Sequence, residues 1–243
     1  MAAGGEPSHE HVVVVMPAYN AERTLAKTLA DLPQQVVDQI VLVDDCSADG
    51  TAAIATALGL IVHVHPSNRG YGANQKTCYQ MALDLGATIV VLLHPDYQYD
   101  PGSVSALIAP IVSGSADFTF GSRFAHGSDP RSGGMPMYRY VGNRLTTILE
   151  NWLLGTSFSE MHSGLKAYRR EVLTRLPLTS YSDDFVFDTQ IITDALANGF
   201  RIAEIPVPTR YTKESSSVSI GRSIEYIFSS LLVCWRVRGR LRS

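Results

Sequence analysis

The sequence contains few cysteines, no long apolar run and little net charge. Its 243 residues include three cysteines, which does not fit a disulfide-stapled secreted fold and indicates a reducing compartment. No apolar run approaches the roughly 20 residues that a membrane-spanning helix needs. The first ten residues are polar and include two acidic side chains, unlike a secretory signal. We therefore expect a cytoplasmic chain whose membrane contact, where it has one, is peripheral and at the inner face.

The composition is that of a folded chain with an uneven charge distribution. Hydrophobic residues make up 45% and charged residues 18%, which excludes disorder and allows a substantial core. Residues 1–120 hold 12 acidic and 4 basic side chains, and residues 121–243 hold the other 11 acidic and 16 basic ones. An acidic half suits a bound cation and a basic half suits an anionic or membrane-surface partner. Two ordinary solvated surfaces would give the same counts, and no nucleic-acid partner is expected.

The first half alternates short apolar runs with amphipathic stretches. Strands are predicted at 12–16, 39–43, 60–64, 88–93 and 116–120, and helices at 20–32, from 49 onward and at 73–85, the first capped by Asn20. This alternation with short connections predicts a mostly parallel central sheet with helices on both faces, an α/β fold.

The second half is less regular. Residues 125–137 form a long Gly/Pro/Ser-rich segment, which is typical of a functional loop. A helix at 138–154, a strand at 164–168, a helix at 185–198 and a strand at 201–207 follow. No internal repeat or linker is present, so we expect a flexible N-terminus (1–10), one domain (11–220) and an amphipathic basic C-terminal helix or tail (221–243).

Polar residues follow the predicted strands, where sheets of this type bind ligands. Asp44 and Asp45 end the second strand, and adjacent carboxylates there need hydrogen-bond donors or a cation. Turn and cap chemistry is the alternative for Asp44. After the fourth strand come His94, Asp96 and Gln98, and a carboxylate and an amide are ligands that Mg²⁺ or Mn²⁺ accepts. A nitrogen ligand from His94 would suit Mn²⁺ better, and a plain loop is the alternative.

The segments in this order resemble family 2 glycosyltransferases of the GT-A fold. Within that family they are most similar to the polyprenol-phosphate (dolichyl-phosphate) mannosyl- and glucosyltransferases. The resemblance runs from about residue 12 to residue 211. It rests on residues 17–20 (Pro-Ala-Tyr-Asn), 43–51 (Val-Asp-Asp-Cys-Ser-Ala-Asp-Gly-Thr), the Asp96 segment, 121–123 (Gly-Ser-Arg) and 163–169 (Ser-Gly-Leu-Lys-Ala-Tyr-Arg).

The resemblance implies a role for each matching position. A nucleotide-sugar donor, of the GDP-mannose or UDP-glucose type, would be held by the start of the chain, and a metal by the Asp96 segment. Arg123 and Arg139 match arginines that meet phosphate groups. The implied donor contacts are Pro17, Tyr19, Glu22, Asp44 and Asp45, with Asp45 the main base or ribose contact, and the implied metal ligands are Asp96, Gln98 and His94.

Two positions depart from the family pattern. His94 replaces the first acid of the family's Asp-x-Asp metal motif, which removes one carboxylate from the site. Glu22 lies five residues after Pro17, where many relatives have an acid four residues after it.

The resemblance also implies an inverting displacement onto an acceptor. A polyprenyl phosphate is already ionised at neutral pH, whereas a saccharide or other hydroxyl acceptor needs a general base. Asp184 is the first candidate for that base and Asp188 the second, with helix capping as the alternative role. His162 precedes Ser163 and is a candidate acceptor contact.

Two function classes compete with transfer. A sugar-phosphate nucleotidyltransferase would carry a Gly-rich, Arg/Lys-bearing loop after the first strand, and residues 17–24 do not. The second class is a catalytically silent nucleotide-sugar-binding module, because His94 replaces a carboxylate of the metal motif. The apolar and Arg-rich residues 221–243 predict peripheral membrane contact, with a packed terminal helix as the alternative.

Overall fold

The computed structural model describes residues 10–211 and 220–241. The predicted flexible N-terminus therefore lies almost wholly outside the described residues. In the described part, seven strands form one sheet in the order β3-β2-β1-β4-β6-β5-β7, and only β6 runs antiparallel to its neighbours. The strands are β1 (Val12–Ala18), β2 (Gln39–Asp44), β3 (Ile61–Val64), β4 (Ile89–Leu92), β5 (Phe118–Ser122), β6 (Lys166–Arg169) and β7 (Ile202–Pro206).

Helices cover both faces of this sheet, which confirms the predicted mostly parallel α/β fold. Along β1, Val13 and Val15 face one core cluster, which includes residues of α3 and α7, whereas Val12 and Val14 face the other, which includes residues of α1 and α4. A strand covered on both sides must be apolar throughout, which is why β1 reads as an unbroken apolar run. The helices are α1 (Leu25–Ala30), α2 (Thr51–Ala57), α3 (Tyr71–Asp84), α4 (Val104–Val112), α5 (Met137–Leu154), α6 (Arg170–Arg175), α7 (Val186–Ala197) and α8 (Ile220–Val237).

Helix α1 differs most from the sequence prediction. It begins at Leu25 rather than at residue 20, and Asn20 adopts a left-handed backbone conformation with φ 52°. The Asn20 side chain accepts a hydrogen bond from the backbone N–H of Ala48 at 2.9 Å instead of capping a helix. The predicted cap was therefore wrong, because Asn20 joins the turns after β1 and β2.

Helices α4 and α6 were not predicted at all. Pro110 lies inside α4, where proline is unfavourable, so the apolar stretch around it does not read as a helix. The other predicted boundaries lie within two residues of the observed ones. Within residues 10–211 and 220–241, no helix is both long and apolar enough to cross a bilayer.

Candidate active site

A cleft of about 1560 Å³ lies at the edge of the sheet where the parallel strands end. The segments that follow β1, β2, β3 and β4 form one side. Arg123, the segment before β6, the segment before α7 and the first turns of α8 form the rest. Ligand pockets commonly measure about 300–1,000 Å³, so this cleft has room for more than one substrate.

Ten of the twelve predicted site residues line this cleft, but Asp44 and Arg139 do not. Asp44 is buried, and its Oδ2 accepts the backbone N–H of Ser47 at 3.0 Å. Arg139 lies on α5, where its Nε donates to the hydroxyl of Tyr138 at 3.2 Å. Those that line the cleft are Pro17, Tyr19, Glu22, Asp45, His94, Asp96, Gln98, Arg123, Asp184 and Asp188.

Asp45 shapes the loop that follows β3. Its carboxylate accepts the backbone N–H groups of Arg69 and Gly70 at 2.9 and 3.0 Å, and it lies 2.7 Å from His65 Nδ1. Gly70 has φ 95°, a conformation that other residues rarely adopt. These donors explain how two adjacent carboxylates are tolerated at the end of β2.

Glu22 and Tyr19 form the outer part of the same wall. Glu22 Oε2 accepts the backbone N–H of Gly50 at 2.8 Å, which joins the turns after β1 and β2. The Tyr19 ring is 58% exposed, so its face is accessible to a planar ligand. Both side chains are on the surface that the sequence assigned to a nucleoside.

The segment after β4 brings His94 and Asp96 to the cleft. Asp96 is 8% exposed, and its Oδ1 accepts the backbone N–H of Gln98 at 3.0 Å. The His94 ring stacks on Tyr71, with centroids 5.5 Å apart. Burial lowers the pKa of His94, although Asp96 opposes this shift. The Tyr71 hydroxyl lies 3.4 Å from Nε2 of the same ring.

The side chains of His94 and Asp96 fit a divalent ion that is held by few protein ligands. A neutral imidazole has a lone pair on one of its two nitrogens, and that nitrogen can bind a divalent ion. Within the described residues, no three His, Cys, Asp or Glu side chains converge into a complete metal cluster. Mg²⁺ and Mn²⁺ usually take one or two protein ligands and complete their shell with waters and phosphate oxygens.

Asp188, the second candidate base, is held by two neighbours. Its Oδ1 lies 2.6 Å from Nζ of the fully buried Lys166, and its Oδ2 accepts the Tyr71 hydroxyl proton at 2.8 Å. Burial lowers the pKa of Lys166, but Asp188 opposes this change. Both carboxylate oxygens of Asp188 therefore face partners within the protein, Lys166 on one side and Tyr71 on the other.

Asp184, the first candidate base, is exposed at the cleft. Its Oδ1 accepts the backbone N–H of Phe185 at 2.8 Å, next to the start of α7. The neighbouring Asp183 lies 2.8 Å from Lys76 Nζ and does not cap α7. Of the two acidic neighbours, Asp184 is the one whose side chain reaches the cleft without a lysine partner.

Arg123 immediately follows β5 and is buried. Its Nε donates to Glu160 at 2.7 Å, its Nη1 donates to the Tyr211 hydroxyl at 2.8 Å, and its Nη2 donates to the His162 carbonyl at 3.0 Å. Burial opposes its charge, but Glu160 outweighs that effect and raises the pKa of Arg123. Arg123 therefore stays charged, but its charge is offset by the ion pair with Glu160 and its nitrogens already have partners within the protein.

Sequence reasoning missed several cleft residues. Arg23, Arg69 and Arg222 all line the cleft and add positive charge. Arg69 immediately precedes Gly70 after β3, and that position at a strand end was a usable signal. Arg222 lies on α8, far along the chain, and no local pattern places it there.

Comparison with known proteins identifies the family. The model for "Glycosyl transferase family 2" matches residues 13–176. Polyprenol monophosphomannose synthase of Mycolicibacterium smegmatis is 30% identical over 252 residues, covering 98% of this chain and 93% of its own. UDP-N-acetylglucosamine–dolichyl-phosphate N-acetylglucosaminyltransferase of Methanococcus voltae is 28% identical, covering 88% of this chain and 93% of its own.

Solved structures agree on the fold. Glucosyl-3-phosphoglycerate synthase from Mycobacterium tuberculosis, in complex with Mn²⁺, UDP-glucose and phosphoglyceric acid, superposes with a TM-score of 0.71 at 20% identity. The match covers 93% of this chain and 80% of that chain. With the cleft at the carboxyl edge of a GT-A sheet, these findings show that the chain belongs to glycosyl transferase family 2.

Proposed function

We propose that this enzyme transfers a sugar from a nucleotide sugar to a polyprenyl phosphate, with inversion at the anomeric carbon. The donor is of the GDP-mannose or UDP-glucose type. The relatives named for polyprenol and dolichyl phosphate support this acceptor class. Among structural observations, the one that carries the proposal is the construction of α8.

Helix α8 faces the cleft on one side and solvent on the other. Arg222, Ser223 and Tyr226 line the cleft. On the outward side, Phe228 is 72% and Trp235 is 63% exposed. A polyprenyl phosphate joins an anionic head to a long apolar tail, and α8 offers a cationic inner side and an apolar outer side.

The donor is bound by the wall that follows β1 and β2. Tyr19, Glu22 and Asp45 contact the nucleoside, and Asp96 with His94 would hold a divalent ion. That ion would offset the negative charge that develops on the departing diphosphate. The imidazole nitrogen favours Mn²⁺ over Mg²⁺ in this position.

The acceptor side of the cleft is the wall formed by Arg123, His162 and the first turns of α8. A phosphate monoester has a second pKa near ~6, so it attacks as an anion and needs orientation rather than a base. Arg222 supplies a cation there, whereas Arg123 is paired with Glu160 and Asp188 with Lys166. The exposed Asp184 favours the alternative, transfer to a saccharide or other hydroxyl with this residue as base.

Transfer into extractable lipid tests the proposal. Labelled GDP-mannose or UDP-glucose is incubated with Mn²⁺ and polyprenyl phosphate, and label in the organic phase is counted. We expect lipid labelling that disappears in Asp96→Ala, whereas Asp38→Ala, a change far from the cleft, retains it. Donor hydrolysis without lipid labelling would favour a hydroxyl acceptor. No turnover of either donor would contradict both the lipid-phosphate and the hydroxyl-acceptor proposals.

Helices α5 and α8, next to the acceptor side of the cleft, present one exposed apolar surface. We propose that this surface rests on an anionic bilayer. The exposed face of α5 contributes seven large apolar side chains, and that of α8 contributes four. Residues 137–154 and 220–241 contain six arginines, whereas Glu225 is their one exposed acid. Apolar side chains flanked by arginines are typical of helices that lie in a membrane interface. The eleven are Met137, Tyr138, Val141, Leu145, Ile148, Leu149, Trp152, Ile224, Phe228, Leu232 and Trp235.

Co-sedimentation with phosphatidylglycerol vesicles tests this surface. The double change Ile148→Ser with Phe228→Ser should weaken binding by more than about tenfold, since each side chain buries apolar area in the interface. The control Leu58→Ser with Val112→Ser removes two similarly exposed side chains elsewhere and should have no effect. A dimer that the first pair alone dissociates would mean that a second copy covers this face.

A further inference from the structure

His162 connects the cleft to both helices of that apolar surface. It lines the cleft, and its Nδ1 lies 2.6 Å from the Tyr226 hydroxyl of α8. Its Nε2 lies 3.1 Å from Oε2 of Glu150 on α5. Glu150 is fully buried, and its Oε1 accepts a hydrogen bond from Ser230 of α8 at 2.9 Å. One imidazole therefore joins the cleft wall, α5 and α8.

The burial of Glu150 requires a positive partner. A carboxylate without solvent is strongly disfavoured unless a cation and hydrogen-bond donors face it. Burial alone would lower the pKa of His162, but Glu150 outweighs burial and raises it, with Glu160 adding to the rise and Arg123 opposing it. An imidazolium places its positive charge 3.1 Å from Glu150 Oε2 and donates from Nδ1 to the Tyr226 oxygen, so it offsets the buried carboxylate as an ion pair.

Tyr226 is fixed by the same contact. Burial raises the pKa of its hydroxyl, and Glu150 and Asp188 raise it further, so the phenol remains protonated. Its oxygen also lies 3.4 Å from Thr189 Oγ1 of α7. With His162 donating, the Tyr226 proton is directed away from His162, toward Thr189 and the cleft.

We propose that Glu150 is a positioning residue that, through His162, holds α8 against the cleft and so places Tyr226 and Arg222 on the acceptor side. The inference rests on the proposed function for the identity of the acceptor. Glu150 itself does not line the cleft, so it acts through His162.

The arrangement depends on pH in one direction. The groups that face His162 are Glu150 of α5, Tyr226 of α8, and Glu160 and Arg123 beside the cleft. Because the pKa of His162 is raised in the folded state, the ion pair is fully present at low pH and is lost as the pH rises through that pKa. Deprotonation leaves Glu150 buried without a cation, and α8 then separates more readily from the cleft.

Hydrogen exchange and NMR test the contact without any substrate. In Glu150→Gln, amide exchange in residues 220–237 should accelerate by at least about tenfold, since the buried ion pair with His162 is lost. The His162 resonance should titrate at a lower pH than in the wild type. Ser230→Ala is the matched control, because it removes the hydrogen bond from Ser230 to Glu150 and leaves the His162–Glu150 ion pair. It should not change the pH at which His162 titrates.

Kinetics test the consequence for the acceptor. The wild-type KM for acceptor should rise as the pH increases through the His162 titration, and that of Glu150→Gln should be high at every pH, with donor KM unchanged in both. His162→Gln keeps hydrogen bonding without a charge and should abolish the pH dependence.

Unchanged exchange and an unshifted titration would overturn the proposal, as would equal changes in donor and acceptor KM. If Glu150→Gln fails to fold, the same exchange and kinetic measurements on His162→Gln decide it. Failure of lipid transfer alone, with exchange and titration as expected, would count against the proposed acceptor and not against this positioning role.

Discussion

At the scale of single residues, the most consequential feature is the buried pair of Lys166 and Asp188. Lys166 lies on β6, deep in the sheet, and Asp188 is its charged partner on α7. The Tyr71 hydroxyl donates to the same carboxylate and its ring stacks on His94. Through Tyr71, the Lys166–Asp188 pair therefore helps to hold His94, the candidate metal ligand, in place.

Lys166→Met should reduce the free energy of unfolding by about 3–5 kcal/mol, because it leaves Asp188 buried without its cation. Thermal and urea unfolding measure the change. Arg131→Met, at an exposed cation away from the pair, is the control and should change stability by less than about 0.5 kcal/mol. Adding Asp188→Leu to Lys166→Met should restore part of the loss, and a double variant less stable than the single one would contradict the account.

Asp184→Asn should reduce transfer to polyprenyl phosphate by less than about tenfold, since a phosphate acceptor needs no general base. A general base commonly contributes roughly 10²–10⁴-fold. Steady-state kinetics with lipid acceptor measure this, and Asp183→Asn, the adjacent carboxylate held by Lys76, is the control. A loss of a hundredfold or more confined to Asp184→Asn would instead assign it as a base for a hydroxyl acceptor.

The sequence identified several residues that line the cleft, but not the contacts that hold those residues in place. Asp45, Asp96 and Glu22 were identifiable because polar residues directly after predicted strands meet at one edge of the sheet. The pairing of Lys166 with Asp188 was not identifiable, because it joins a strand and a helix 22 residues apart through tertiary packing. His162 was named as an acceptor contact, but its buried partner Glu150 looked like an ordinary residue of an amphipathic helix.

At the scale of elements, the first turn of α3 is packed unusually tightly against the segment before α7. The N–H of Gly72 donates to the Asp183 carbonyl at 2.7 Å. A Cβ atom on Gly72 would lie 2.5 Å from the Ser182 carbonyl oxygen and 2.9 Å from the Asp183 carbonyl carbon. Both obstacles are backbone, so neither can rotate away.

Gly72→Ala should therefore reduce stability by about 1–3 kcal/mol and displace the segment that carries Asp184. Gly142→Ala is the matched control: Gly142 lies within α5 with open space around it, so alanine should add up to about 1 kcal/mol. Unfolding midpoints measure both changes. Equal effects of the two substitutions would contradict this view of the α3 contact.

Element prediction succeeded where apolar patterning was strong. β1 and β4 were identified from β-branched runs that both faces of the sheet bury. Helix α1 began five residues later than predicted, because the Asn20 side chain bonds to the turn after β2 rather than to the helix. Sequence could not show that β6 runs antiparallel, because strand direction depends on pairing with β4 and β5, which are distant in the chain.

At the scale of the whole molecule, the proposed donor wall and the proposed acceptor wall line one cleft. The donor wall comes from the regular first half, where strand ends converge. The acceptor wall comes from later segments, and its helix α8 also joins α5 in the exposed apolar surface. Because α8 belongs both to the cleft and to the proposed membrane surface, we expect a lipid acceptor to react without leaving the membrane.

The central claim is that the phosphate of a lipid is the nucleophile. The most direct measurement compares labelled sugar transfer, with Mn²⁺, to polyprenyl phosphate and to the polyprenol of equal chain length in the same vesicles. The account predicts labelled lipid with the phosphate and at most trace labelling with the alcohol. Equal labelling of both, or labelling of the alcohol alone that Asp184→Asn abolishes, would contradict it.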